Sequence, residues 1–311
     1  MKVVVTGGAG YIGSHMTALL LERGHEVVVV DDLSDGHRDA VSPGARFVHA
    51  KASDAAMGEA CTGADAVIHF AGKIQVGESV IEPRKYWQGN LVESLAALDA
   101  ATRANVGAFV FSSTAAVYGN PDATPIVEEH PTRPINPYGE TKLAFEHALA
   151  GYGRAYGVRW AALRYFNAAG TFGGLRERHA PETHLIPLAI AAAKGAGPPL
   201  RLFGTDWPTP DGTCIRDYVH VRDLALAHLA AIDHLRAGKE GGAFNVGSGA
   251  GATVRQVLAA IERAMGKPVP AIDSPRRAGD PAVLVASVEK ARRVLGWSPA
   301  LGLDDIVRSA M

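Results

Sequence analysis

The stretch VVVTGGAGYIGSH, Val3 to His15, decides the fold. It opens on three β-branched apolar residues, the composition of a strand buried on both faces. Gly7, Gly10 and Gly13 then recur in a G-x-x-G-x-x-G spacing, and a helical pattern runs from Ile12 to Arg23. A strand that turns through glycines into a helix brings free backbone N–H groups and the positive end of a helix dipole to one point. That arrangement predicts a phosphate site, and glycine lets the backbone approach the anion with no side chain between them. The next strand candidate, Val27–Val30, runs into Asp31, 18 residues beyond Gly13. A carboxylate there accepts hydrogen bonds from a ribose and repels a 2′-phosphate, so the pattern predicts NAD rather than NADP.

Working outward, further strand candidates are Arg46–Val48, Ala66–Phe70, Ala108–Phe111 and Ala161–Leu163. Helical patterns at Asp54–Cys61, Pro83–Ala104 and Tyr138–Tyr156 separate them. Near-continuous Val/Ile strands alternating with helices predict an α/β fold, a doubly wound parallel (Rossmann) sheet covered on both faces. The second half is richer in proline and glycine. It offers one short strand, Leu200–Phe203, a core helix over Leu185–Gly195, and helical patterns at Val221–Arg236 and Thr253–Met265.

The 311 residues suit one large domain or two closely joined ones. With 31 basic and 32 acidic residues, the net charge of −1 gives no general attraction to nucleic acid or to a membrane surface. The two cysteines, Cys61 and Cys214, sit in no CxxC pattern, so neither a disulfide scaffold nor a structural metal is expected, and no metal ligand is read from the sequence. The chain opens directly on a strand, and no apolar run approaches the roughly 20 residues of a membrane span. The expectation is a cytoplasmic protein.

The chemistry is expected in two places. FVFSSTAAVYG, Phe109 to Gly119, puts Ser112, Ser113 and Thr114 at the carboxyl end of a parallel strand, where such sheets bind ligands. In INPYGETKLAFEH, Ile135 to His147, Tyr138 stands four residues before Lys142, one helical turn away on the same face. A free phenol has a pKa of about 10. An ammonium and a nicotinamide cation nearby favour phenolate, which makes Tyr138 a candidate base for a hydroxyl proton. Lys142 is placed to hold the nicotinamide ribose, and Thr114 to hydrogen-bond the reacting oxygen.

TGGAGYIG, Asp31, the Ser-Ser-Thr strand end and Tyr-x-x-x-Lys together resemble the extended short-chain dehydrogenase/reductase family. Within it the chain is similar to the UDP-hexose 4-epimerase branch over nearly its whole length. The matching stretches are HFAGKIQVGESV, FSSTAAVYG, NPYGETK, LRYFNAAG, LFGTDWPTPDGTCIRDYVHV and RRAGDPAVL. The resemblance implies reversible, NAD-dependent epimerisation of a UDP-hexose at C4 through a transient 4-keto sugar. It also implies a cofactor-binding domain over residues 1–165, with segments near 214–248 returning to it. Residues 166–311 mainly form an interleaved α/β substrate domain.

By position, the resemblance implies that Tyr11 and Ile12 lie on the pyrophosphate. Lys51 and Ala52 lie at the adenine. Phe70, Ala71, Gly72, Lys73, Ile74 and Asn90 line the cofactor, and Phe166 lies near the nicotinamide. Asn167, His184 and Leu185 reach the substrate diphosphate. Leu202 and Phe203 contact uracil, and Arg216, Arg277 and Asp280 hold phosphate and ribose. A homodimer formed through Pro83–Ala104 and Tyr138–Tyr156 is the family expectation.

The sequence departs from the pattern in four places. Ala50-Lys51 stands where Gly-Asp is usual, and Lys73 is one position early. His184 replaces a common asparagine. Leu284 occupies the gate beside the hexose 2-position, where tyrosine restricts and a small residue admits N-acetyl sugars, so UDP-GlcNAc stays open as an alternative substrate. A sugar-nucleotide 4,6-dehydratase needs an Asp-Glu pair just after the hydroxyl residue. Ala115 and Ala116 stand there and argue against elimination of water. The rival from another class is a non-catalytic NAD sensor on the same fold, which has no need of Thr114, Tyr138 and Lys142 together.

Overall fold

The valine-rich strands pair side by side as the sequence predicts. The computed structural model describes residues 1–277 and 280–311. Ala278 and Gly279, inside the RRAGDPAVL stretch, lie outside the described residues. Strands β1 (Lys2–Thr6), β2 (Glu26–Asp31), β3 (Arg46–His49), β4 (Ala66–His69), β5 (Ala108–Thr114) and β6 (Trp160–Tyr165) form one parallel sheet with the strand Gly242–Val246. The order is Gly242–Val246, β6, β5, β4, β1, β2, β3. The chain winds outward from β1 to β3, then crosses back to β4. The switch point therefore lies between β1 and β4, and a crevice opens at their carboxyl ends.

Register brings the functional ends level. Thr6 pairs with Val30 and with His69, and His69 pairs with Phe111. The glycine loop, Asp31, Phe70 and the hydroxyl strand end thus share one edge of the sheet. Two apolar layers cover its faces. One includes Val3, Val5, Leu19, Leu163 and Leu224, and the other Val4, Val28, Phe109, Phe145 and Leu149.

The structure differs from the sequence expectation at several elements, two of which bear on the central sheet and its crevice. Pro83–Ala104 is not one α-helix: Pro83–Tyr86 and Glu93–Arg103 flank a π-helical turn at Trp87–Val92. The wider turn carries the buried Asn90, whose amide clamps the backbone of Lys73. The seventh strand, Gly242–Val246, pairs in parallel with β6, although its sequence GAFNV lacks an apolar run. Asn245 breaks the pattern yet is buried, because Tyr118 donates to its Oδ1 at 2.7 Å and its Nδ2 donates to the Ile126 carbonyl at 2.8 Å.

The second half forms small sheets around a third core that includes Ile186, Leu200, Leu202, Tyr218 and Ile261. Asn167–Ala169 pairs with Tyr218–His220, Leu200–Phe203 with Ala271–Ser274, and Ile215–Arg216 with both Ala252–Thr253 and Val283–Leu284. Among the described residues, no helix is long and apolar enough to cross a membrane.

Candidate active site

Gly7 holds a left-handed φ of 68°, and a Cβ on it would stand 2.6 Å from the Ala71 amide nitrogen. At Gly13 a Cβ would meet the Gly7 carbonyl oxygen at 2.2 Å. Both positions need glycine so that β1, the loop and the helix Tyr11–Glu22 can close on each other. Gly10 is the N-cap of that helix, and no side chain caps it. The first turn is therefore free to receive an anion.

Asp31 ends β2 with both carboxylate oxygens aimed by the loops: Oδ2 accepts from the Ala9 amide at 2.9 Å and Oδ1 from the Leu33 amide at 2.8 Å. Each oxygen keeps a lone pair for a ribose hydroxyl. Burial pushes its pKa up, and those two N–H bonds oppose the shift. An uncapped helix start beside a fixed carboxylate fits a dinucleotide such as NAD.

The opposite wall is the 70–74 segment. Phe70 packs at a tilt against the buried His228, with ring centroids 4.8 Å apart. Gly72 leaves room for Asn90 Oδ1, which accepts from the Lys73 amide at 2.6 Å, while Asn90 Nδ2 donates to the Lys73 carbonyl at 3.0 Å. The Lys73 ammonium reaches Asp35 at 2.5 Å and so spans the loops after β2 and β4. Ile74 is exposed and Ala52 is buried. Lys51 points to the surface, where it meets Glu93 at 3.3 Å.

Tyr138 and Lys142 lie in the first turns of the helix Pro137–Tyr156, started by Pro137 and by Asn136, whose Oδ1 accepts from the Gly139 amide at 2.9 Å. Lys142 is buried. Its Nζ donates to the Ser112 carbonyl at 3.0 Å and lies 4.9 Å over the Phe111 ring and 5.9 Å from the Tyr138 ring centroid. The Thr114 hydroxyl is a hydrogen-bonding neighbour of the Tyr138 phenol and also accepts from the Ala116 amide at 3.1 Å. Burial pushes the Tyr138 phenol above its ordinary value, and the Thr114 bond opposes the shift. The expected downward pull of Lys142 is not what governs this phenol in the chain alone, and Lys142 is itself pushed down to about 8 by burial.

Strand alternation also divides the hydroxyls. Ser112 pairs with Tyr165 beneath the Lys142 contact. Ser113 points to the other face and donates to Glu146 at 2.5 Å. The expectation that Ser113 faces a ligand at the carboxyl strand end is therefore corrected. It belongs to a buried network in which Arg164 grips Glu146 at 2.6 Å.

In the second half, Asn167 Nδ2 donates to the Asp217 carbonyl at 2.9 Å. Leu185 opens the helix Leu185–Ala193, and His184 is its N-cap. Leu202 is buried in the third core, whereas Phe203 is half-buried and carries the Arg277 guanidinium 3.9 Å above its ring. Arg216 donates to the carbonyls of Ile215 and Pro281 at 2.9 Å and faces Asp280 at 3.6 Å. Leu284 pairs with Arg216 and packs in a cluster with Ala115, Tyr118 and Phe166. The structure thus brings Leu284 beside Ala115 and Phe166 and leaves Lys51 apart.

Sequence reasoning missed a group above the glycine loop. The Tyr11 hydroxyl donates to the Gly170 carbonyl at 2.5 Å, and its ring lies edge-on to His179 at 5.9 Å. Glu177, His179, Glu182 and His184 converge there, with ligating atoms all within 4.8 Å of one another. The signal was the E-x-H-x-x-E-x-H spacing over residues 177–184.

The model of the NAD dependent epimerase/dehydratase family matches residues 3–247. A UDP-glucose 4-epimerase of Corynebacterium glutamicum is 49% identical over 300 residues, covering 96% of this chain and 91% of that protein. The crystal structure of the Brucella ovis UDP-glucose 4-epimerase in complex with NAD superposes with a TM-score of 0.97 at 46% identity, covering 99% of this chain and 97% of that one. A UDP-Glc/GlcNAc 4-epimerase of Campylobacter jejuni gives 0.87 at 39% identity, covering 99% and 97%. By the family match across its sheet, and by relatives that run its full length, this chain belongs to the NAD dependent epimerase/dehydratase family.

Proposed function

We propose that this protein interconverts UDP-glucose and UDP-galactose by NAD-dependent epimerisation at C4, through a transient 4-keto sugar. The observation that carries the reading is the meeting of Thr114, Tyr138 and Lys142 at the carboxyl edge of the sheet, with Ala115 and Ala116 beside them. Relatives named UDP-glucose 4-epimerase support it. NAD, when bound, takes a hydride from C4 and returns it, so no net oxidation results.

The chain's own residues do the rest. Tyr138 accepts the proton of the 4-hydroxyl and later gives it back, while Thr114 holds that oxygen in line. The Lys142 ammonium favours the phenolate and holds the nicotinamide ribose. The Gly7–Gly13 turn with Tyr11 and Ile12 receives the pyrophosphate, and Asp31 the adenosine ribose. Phe203 offers a ring face to uracil, and Arg216 and Arg277 offer guanidinium forks to the diphosphate. Binding energy spent on the nucleotide lets the 4-keto hexose turn without escaping, so hydride returns to its other face. With no acid pair after Thr114, water is not eliminated.

The proposed division is a cofactor domain of residues 1–165 joined by a segment near 214–248, with the remainder mainly binding substrate. Pairing of Gly242–Val246 with β6 supports it. A homodimer is proposed through the helical segments Pro83–Arg103 and Pro137–Tyr156, which leave Trp87, Val92 and Tyr156 exposed. Cytoplasmic residence suits two unpaired thiols, Cys61 and Cys214.

The test is incubation of the purified protein with UDP-galactose, reading UDP-glucose by chromatography. Tyr138→Phe is expected to lower turnover by at least about a hundredfold while keeping bound NAD. Near-normal turnover in that variant removes Tyr138 from the base role. Bound NAD with no conversion of any UDP-sugar favours the sensor.

A further inference from the structure

The segment from Gly170 to His184 crosses the glycine loop with no helix or strand of its own. It is fastened at three points. Tyr11 donates to the Gly170 carbonyl, Arg178 forks onto Asp39 at 2.7 and 2.9 Å, and His37 Nε2 lies 3.1 Å from the Arg178 carbonyl. Its far end folds back on itself so that two imidazoles and two carboxylates face one point.

His184 Nδ1 lies 2.7 Å from Glu182 Oε1 and 2.9 Å from Glu177 Oε1. His179 Nδ1 lies 3.0 Å from the same Glu177 oxygen. One imidazole nitrogen carries at most one proton, so a single N–H here faces oxygens of two carboxylates. Two carboxylates brought together in this way can be bridged by that one imidazole N–H or by a metal cation, and a divalent ion offsets both charges at once.

We propose that Glu177, His179, Glu182 and His184 bind a divalent transition ion of the zinc type, which locks the segment 170–184 over the glycine loop. The donor set is mixed nitrogen and oxygen, which zinc accepts in four-coordinate sites at about 2.0–2.2 Å. Ligating atoms around such an ion stand roughly 3.4 Å apart, so the nitrogen–oxygen pairs now at 2.7, 2.9 and 3.0 Å part slightly, within the 4.8 Å envelope of this cluster, to admit it. All four ligands come from the protein, so the ion is structural and takes no part in the reaction. An outer shell is present as well. The amides of Thr183 and His184 donate to Glu182 Oε1 at 2.7 and 2.8 Å and fix its direction.

The experiment uses the full-length protein with NAD bound, prepared with zinc present and then gel-filtered against a weak chelator. Metal content by plasma mass spectrometry is expected to be about one zinc per chain. Cobalt exchange is expected to give the visible absorption of a tetrahedral site. Glu177→Gln and His179→Ala are each expected to weaken retention by at least about tenfold and to release NAD faster. Circular dichroism shows that each variant is folded, and either folded variant suffices. A folded wild-type protein that retains no zinc and gives no cobalt spectrum overturns the proposal. So does zinc held equally by the wild type and a folded variant, because the ion then lies elsewhere. Metal content is read without turnover, so the outcome does not depend on the epimerase reading.

Discussion

Lys142 shows at one residue how a functional group works against stability. Its pKa is pushed down to about 8 from 10.5 by burial, so folding without cofactor disfavours its charge. Below about pH 8 both states are protonated and the full cost is present. Between the two values the folded state carries fewer protons than the unfolded chain, so stability rises with pH and the cost fades. Lys142→Met is therefore expected to stabilise the cofactor-free protein by roughly 3 kcal/mol near neutrality and to abolish most turnover. Thermal melts at about pH 7 and pH 10 check this, and a gain that does not shrink at the higher pH refutes the account. Leu284 is proposed as the gate to the sugar. Leu284→Ala is expected to raise the ratio of UDP-GlcNAc to UDP-galactose turnover, and Leu284→Tyr to lower it, by about tenfold each way. An assay of both sugars on both variants reads this directly, and an unchanged ratio would exclude Leu284 as the gate.

At the scale of elements, the π turn at Trp87–Val92 matters more than the helix it interrupts. It delivers Asn90 to the Lys73 backbone and thereby shapes the 70–74 wall. Asn90→Ala leaves the part-buried Lys73 N–H and C=O without these partners, a cost of about 1–3 kcal/mol. The expected result is faster loss of NAD, measured by fluorescence after dilution, with the fold intact by circular dichroism. The hydroxyl strand end makes the complementary point. Ser113 shares its motif with Thr114 but serves the Glu146–Arg164 pair on the opposite face. Glu146→Gln leaves a buried guanidinium unpaired and is expected to cost about 3–5 kcal/mol, seen as a lower denaturant midpoint. A surface-like change below about 0.5 kcal/mol would contradict a structural role for the pair.

For the whole molecule, Asp217 joins segments far apart in the chain. Its buried carboxylate accepts from the Ser248 amide and hydroxyl at 2.6 Å and from the Gly249 and Ala286 amides at 3.0 Å. These bonds hold the 215–218, 247–249 and 283–286 segments in the arrangement that carries Arg216 and Leu284. Asp217→Asn replaces an acceptor oxygen by a donor that faces other donors, at roughly 3 kcal/mol or more. The expected signature is a large rise in KM for UDP-galactose with NAD still bound. Loss of NAD at equal KM would assign Asp217 to the cofactor half instead.

Local chemistry made the first half legible. Apolar strand runs, glycines forced by close approach, a carboxylate at a strand end and a one-turn Tyr–Lys spacing each act within a few residues, so composition and spacing alone determined the sheet, the phosphate turn and the candidate base. Long-range partners decided the rest. GAFNV becomes a central-sheet strand because Tyr118 and Ile126 satisfy Asn245. Asn90 becomes a clamp on the Lys73 backbone because a π turn aims it there. Tyr138 is governed by burial, a property of everything folded around it, which its one-turn distance from Lys142 does not report. Of residues 177–184 the sequence singled out only His184, and folding turned Glu177, His179 and Glu182 to the same point.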